Sequence, residues 1–330
     1  MTKSLQRGVH TGLLVSLVVC SALSQAVESQ NEAQVWLERM TQAAQQLDYD
    51  GTFVYRNGSE MESMRIIHKN DESGERSRLI ALSGAKREVL RDSSQVVCIL
   101  PDDEAVVVAK RRPPNPYHTA ILTASKDFAQ YYDVSVMGGD RVAGRQTEVL
   151  VLTPLDKYRY GYHLWVDRET GLLLKSDLLS AQGGALEQFI YTSISLPAEI
   201  TDDLLEPGIT GQQLTWHING SGALETVVGE AVQSPWQVDW LPDGFMMADC
   251  TETDSQSGDM PVTHMVYTDG LASLSVFIEQ LNNEDPLEGL SAMGAMNAFG
   301  RIVDGHQVTV VGEVPASTVE AVANSVNLIQ

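Results

Sequence analysis

The chain has 330 residues, of which 43% are hydrophobic, enough to bury cores in more than one domain. Its 44 Asp and Glu against 22 Lys and Arg leave a formal net charge of −22, which argues against a nucleic-acid-binding surface despite the short basic run KRRPPNP. Cysteines are few, and no C-x-x-C motif occurs, so any disulfide would be structural rather than catalytic.

The N-terminus reads as a secretory signal peptide over residues 1–26. Lys3 and Arg7 precede the apolar run LLVSLVVCSAL, and SQA supplies small residues for cleavage after Ala26. The run is too short for a good membrane span. Val19 stands where a small residue would precede a lipidated cysteine, which weighs against lipidation at Cys20. An exported chain meets an oxidising compartment, which permits a bond between Cys98 and Cys250, although free buried cysteines are common and are slightly favoured here.

The stretch NEAQVWLERMTQAAQQL places Trp36, Leu37, Met40, Ala43, Ala44 and Leu47 on one helical stripe. Strand patterns follow in GTFVYR, MESMRIIHK, RLIALS, REVLRD, QVVCIL and EAVVVA, separated by turn signals such as RNGSE and PDDE. RRPPNPY cannot belong to a central strand, and SKDFAQYY reads as a short helix capped by Ser125. Strands resume with TEVLVLTPL and end with LEQFIYTSISL.

Between these two lies YRYGYHLWVDRETGLLLKSDLL, a hairpin whose DRETG turn ends in Gly171, a residue free to take positive φ. With Asp167 opposite Leu172, one face carries Tyr160, Tyr162, Leu164, Val166, Leu173 and Leu179. The other carries Trp165, Leu172, Leu174 and Leu178. A half-solvated strand is apolar on one side only, so something covers the second side. A ligand cavity, or a helix on one side and a neighbouring domain on the other, would each account for it.

Residues 27–205 therefore read as one large antiparallel domain, and the glycine-rich, polar stretch 206–232 as a connector. Residues 233–330 read as a smaller α+β domain. Its last helix would start with a capping box of Ser317 and Glu320 and carry Val319, Val322, Ala323, Val326 and Ile329 as one stripe. From residue 206 onward, 17 Asp and Glu face a single cation, Arg301. That imbalance favours a basic partner, although acidity kept for solubility explains it nearly as well.

Motifs for chemistry are absent: no G-x-S-x-G, H-E-x-x-H or phosphate-binding glycine loop occurs, and the histidines stand singly. The sequence suggests no enzyme, no metal and no cofactor.

Taken in order, LDYDGTFVYRNG, MESMRIIHK, KREVLRD, DRVAGRQTEVL, the hairpin and LEQFIYT resemble the larger domain of the RseB/MucB regulators. WLPDGF, MPVTHMVYTDGLASLSVFIE and VTVVGEVP resemble their smaller domain. The resemblance implies an α+β protein: a half-open antiparallel β-barrel similar to the lipoprotein carriers LolA and LolB, with helices in its mouth, plus a small α+β domain. It also implies a periplasmic regulator of the sigma-E (AlgU) envelope-stress response. Such a protein docks on the periplasmic part of a membrane anti-sigma factor, RseA or MucA, shields it from DegS or AlgW, and is displaced by lipid or lipopolysaccharide. Lipid carriage of the LolA type is the alternative, and self-association is compatible with either. On physical grounds alone, Phe53, Tyr55, Tyr160, Tyr162, Leu164 and Val166 are the residues expected to line a lipid cavity. Trp240, Leu241, Phe245 and Tyr267 are those expected to dock the partner.

Overall fold

The computed structural model describes residues 32–101, 105–109, 130–196, 198–208, 215–219, 234–253, 261–281 and 286–329. The signal peptide, RRPPNPY and most of SKDFAQYY fall outside them. Helix α1 covers residues 32–46. Of its expected stripe, Leu37, Met40 and Ala44 are buried in one cluster, joined by Ala33, and Ala43 in an adjoining one, while Trp36 and Leu47 are partly buried and Leu47 lies just past the helix.

The strands of the larger unit are β1 (Tyr49–Asn57), β2 (Glu60–Asp71), β3 (Gly74–Ala81), β4 (Glu88–Arg91), β5 (Val96–Leu100) and β6 (Ala105–Ala109), then β7 (Tyr132–Val142), β8 (Arg145–Pro154), β9 (Gly161–Asp167), β10 (Leu173–Leu179), β11 (Ala185–Ser195) and β12 (Thr215–Asn219). They form one 12-stranded sheet in the order β12-β6-β5-β4-β3-β2-β1-β11-β10-β9-β8-β7. Its end strands, β12 and β7, do not pair, so the barrel stays open. Neighbours are antiparallel except β12, which lies parallel to β6. The pairing of β1 with β11 joins the first run of hairpins to the second.

Two elements depart from the sequence reading. Tyr132 begins strand β7 rather than closing a helix. Gly138 and Gly139 hide that strand: the ladder to β8 shifts register between Val136 and Gly138, and Gly138 takes φ 122°, so no simple alternation runs through it. The polar connector also contains a strand, β12, which pairs with β6 and whose alternation of Trp216 and Ile218 with polar neighbours spans only five residues.

The β9–β10 turn closes as expected, with Gly171 at φ 83° and its N–H donating to the Asp167 carbonyl at 2.8 Å. The Asp167 carboxylate holds the turn. It accepts Nε and Nη2 of Arg145, each at 2.9 Å, the Thr170 hydroxyl at 2.6 Å and the Thr170 N–H at 2.9 Å. Burial alone would raise its pKa, but these hydrogen bonds outweigh burial and hold it below the usual carboxylate value. A depressed carboxylate contributes stability that is complete above its unfolded pKa, about 3.9, and is lost as pH falls through the folded value. Asp167→Asn should therefore be less stable than the parent at neutral pH. In denaturant titrations that difference should shrink as pH drops below about 4.

One face assignment needs correction. Leu173 stands opposite Val166 but Lys175 stands opposite Trp165, so a bulge at Leu174 reverses the parity of β10. Leu178 thus pairs with Tyr162 and shares its face, while Leu179, paired with Gly161, moves to the other.

The smaller unit holds β13 (Trp236–Val238), β14 (Met246–Thr253), β15 (Val262–Thr268), β16 (Ser273–Gln280), β17 (Gly289–Met293), β18 (Met296–Val303), β19 (His306–Gly312), helix α2 (Ala316–Asn324) and β20 (Val326–Leu328). Six of these strands form an antiparallel sheet in the order β14-β15-β16-β19-β18-β17, and β13 pairs with β20. Val276, Ile278, Val308 and Val310 pack against Val319, Val322 and Ala323 of α2. The expected capping box does not form. Pro315 holds the N-cap position without a side-chain cap, and Ser317 lies inside the first turn. The apolar stripe also ends early: Val326 belongs to β20, and Ile329 is exposed. Cys98 in β5 and Cys250 in β14 are free thiols.

Candidate functional site

Strand register decides which side chains share a face. Phe53 stands opposite Tyr191 and Met64, and Tyr55 opposite Phe189. Phe189 faces Ser176, Ser176 faces Leu164, Leu178 faces Tyr162, and Leu164 faces Leu150. Opposed residues point the same way, so Phe53, Tyr55, Tyr162, Leu164 and Val166 lie on one inner face. Helix α1 covers it: Leu37 and Met40 pack in one cluster with Tyr162, Leu164, Val166 and Leu178. The face is full, with Leu164 and Val166 at 0% exposure and Phe53 at 2%.

On the outer face, polar side chains cover Trp165. The Lys175 ammonium sits 3.6 Å from the centre of the Trp165 ring, and the indole N–H donates to Asp140 at 2.8 Å. Leu172 and Leu174 pack in the cluster of Phe53, Tyr191 and Ala43 of α1, so the helix and the polar cover of Trp165 together account for the two-sided apolar hairpin. Burial pushes the Tyr132 and Tyr162 hydroxyls well above the ordinary phenol value, so both stay neutral. Glu187, opposite Leu178 and 1% exposed, accepts the Tyr55 hydroxyl at 2.5 Å.

Just before β9 the chain turns to the smaller unit. Arg159 donates through Nε to Asp269 at 2.7 Å and through Nη1 to Asp156 at 2.7 Å, and also bonds the Asp243 carbonyl. Its guanidinium lies 4.7 Å from the Tyr131 ring and 5.2 Å from the Phe245 ring. The Arg159 and Asp269 side chains are 1% and 0% exposed, so this ion pair is fully desolvated. Flanking it, the Thr318 hydroxyl of α2 donates to the Tyr158 carbonyl at 3.0 Å, and Asn297 donates to the Tyr160 hydroxyl at 2.9 Å. Leu271 and Ala295 of the smaller unit join the cluster that includes Tyr160 and Tyr162.

The residues expected from sequence therefore divide. Phe53, Tyr55, Tyr162, Leu164 and Val166 are brought together beneath α1, while the Tyr160 hydroxyl is taken by the seam between units. Trp240 is half-buried, its ring 4.9 Å from that of Tyr158 and edge-on to it, and Phe245 lies beside Arg159. Leu241 is half-buried against the smaller core. Tyr267 is buried, its hydroxyl donating to the Met265 sulfur at 3.4 Å and pushed up to about 12 by burial and then by Cys250.

Sequence reasoning missed Arg159, Asp269, Asn297 and Thr318. A charge between two tyrosines and a TDG turn carry no local sign that they will meet. Among the described residues no group of His, Cys, Asp and Glu is placed to hold a metal, and no helix is long and apolar enough to cross a membrane.

Comparison with known proteins places the chain. Residues 32–209 match the MucB/RseB N-terminal domain, and residues 230–327 match the MucB/RseB C-terminal domain. The chain is 35% identical to the sigma factor AlgU regulatory protein MucB of Pseudomonas aeruginosa, covering 95% of each. It is 27% identical to the sigma-E factor regulatory protein RseB of Haemophilus influenzae, covering 96% of each. A crystal structure of MucB in complex with MucA(peri) superposes with a TM-score of 0.71 at 32% identity, over 90% of this chain and 99% of that one. A second MucA/MucB complex from Pseudomonas aeruginosa gives 0.72 at 33% identity, over 91% and 99%. With both of its domains matched in order and a relative at this identity over nearly its whole length, the chain belongs to the MucB/RseB family.

Proposed function

We propose that this chain is a periplasmic regulator that binds the periplasmic segment of a membrane anti-sigma factor of the MucA or RseA kind. Binding protects that segment from the first protease of a regulated cascade, and lipid or lipopolysaccharide releases it. The observation that carries this reading is the match, across both units, to MucB held in complex with MucA(peri). The buried seam at Arg159 supports it, because a rigid joint between the units lets an event on the inner face reach the partner surface. The lipid chain is assigned to the inner face under α1, where Phe53, Tyr55, Tyr162, Leu164 and Val166 lie. Half-buried Trp240 and Leu241 are assigned to the partner surface, with Phe245 and Tyr267 supporting it from the core beneath.

Mixing the mature chain with the anti-sigma segment should slow cleavage of that segment by its protease, and an acylated lipid should restore cleavage. The coupling must be reciprocal, so the segment should weaken lipid binding by the same factor as lipid weakens segment binding. Two ligands that bind independently would sink release by displacement. Because exposed charges act over about 8 Å at 0.15 M ionic strength, added salt should slow association more than it speeds dissociation.

A further inference from the structure

The smaller sheet has two edges, and they are built differently. The β14 edge is blunted: its ladder to β15 shifts register between Met247 and Asp249, and it carries the carboxylates of Asp249 and Glu252. A bulge and charges are the usual devices that stop an edge from taking another strand. The β17 edge has neither. Gly289, Leu290, Ser291, Ala292 and Met293 include no charge and no proline, and they pair with β18 without a break from Gly289 opposite Gly300 to Met293 opposite Met296. Leu290 is 56% exposed and Met293 69%.

We propose that β17 is a docking edge, to which an extended segment of the partner polypeptide, flanked by Lys or Arg, adds as a further strand of the sheet. The proposal rests on the regulator reading above and names how that partner is held. Strand addition draws affinity from main-chain hydrogen bonds, with alternate side chains settling on the exposed neighbours. Methionine suits such a surface because its flexible, polarizable side chain adapts to what it meets.

The edge ends at the seam between the units. Ala295, in the β17–β18 turn, is buried in the cluster of the larger unit, and an added Cβ on Gly58 would lie 3.7 Å from Gly294. Asn297, two residues on, is the residue that donates to Tyr160. A segment lying on β17 therefore runs alongside both units, continuous with the joint that fixes them.

Charge selects the occupant. A second copy would bring together two units that each carry, from residue 206 onward, 17 Asp and Glu against Arg301 alone. Arg301 is itself turned to the end of α2, donating to the Ala323 carbonyl at 3.3 Å. Repulsion disfavours that pairing and attracts a basic segment instead.

Successive residues of an edge strand point their N–H groups alternately inward and outward. Of Ser291→Pro and Ala292→Pro, one thus removes a bond to β18 and the other removes only an outward donor. The outward variant, recognised by an unchanged melting temperature, should bind the partner's periplasmic segment at least tenfold more weakly. Leu290→Lys, at an exposed position, should weaken binding too. In the unaltered chain, the outward amides of β17 should exchange hydrogen more slowly once the segment is bound. Full-strength binding by the folded proline variant, with no change in exchange, overturns the edge while leaving the regulator standing. No binding by the unaltered mature chain sinks the regulator reading instead. A dimer in the unaltered chain that the same proline variant abolishes would show that a second copy takes the edge, and overturns the proposed occupant.

Discussion

Replacing Arg159 by methionine is expected to destabilise the folded chain by about 3–5 kcal/mol, the range for removing one partner of a buried ion pair. The carboxylate left behind, Asp269, is 0% exposed in its side chain and cannot recruit water without opening the seam. Its other oxygen still accepts the N–H groups of Leu271 and Ala272, at 2.8 and 2.7 Å, so the turn persists while the charge loses its partner. Adding Asp269→Asn to Arg159→Met should recover part of the loss, because asparagine keeps an acceptor for those N–H groups without a charge. Urea titrations of the two variants provide the comparison, with the exposed pair of Lys69 and Asp202 as reference. Lys69→Ala, which also releases Asp71, should cost far less than Arg159→Met. If Arg159→Met costs no more than Lys69→Ala, the seam is not held by this pair.

Met40→Ala should lower stability and raise lipid uptake together. Met40 is fully buried between α1 and the inner face, so its loss removes packing and leaves a cavity, at a cost of about 2–5 kcal/mol. The same cavity gives an acyl chain room that it otherwise gains only by displacing α1. A fluorescent acyl probe should therefore bind the variant more tightly than the parent at a temperature where both are folded. Tighter binding places the chain beneath α1; weaker or equal binding places it elsewhere. A charged residue at Leu164 cannot serve this test. At 0% exposure it would unfold the larger unit rather than block a site.

Local signals were enough for many elements. The α1 stripe, the Gly171 turn and most strands of the larger sheet follow from residue spacing, because those patterns reflect contacts made within a few residues. Strand β7 escaped because two glycines break its alternation, and β12 because its alternation of Trp216 and Ile218 is only five residues long within a polar, glycine-rich stretch. Membership of the family was also legible, since ordered short motifs record the whole chain even where no single motif is specific.

Register and long-range contact were not legible. One extra residue at Leu174 reversed the face of Leu178, because side-chain direction alternates at every step and a bulge costs the sequence no visible signal. Whether the inner face is open or filled depended on where α1 lies, which its own amphipathic stripe does not state. The joint between the units depended on Arg159 meeting Asp269, 110 positions away. A buried ion pair forms only when the folded chain brings both charges into one water-free place, so nothing near either residue announces it.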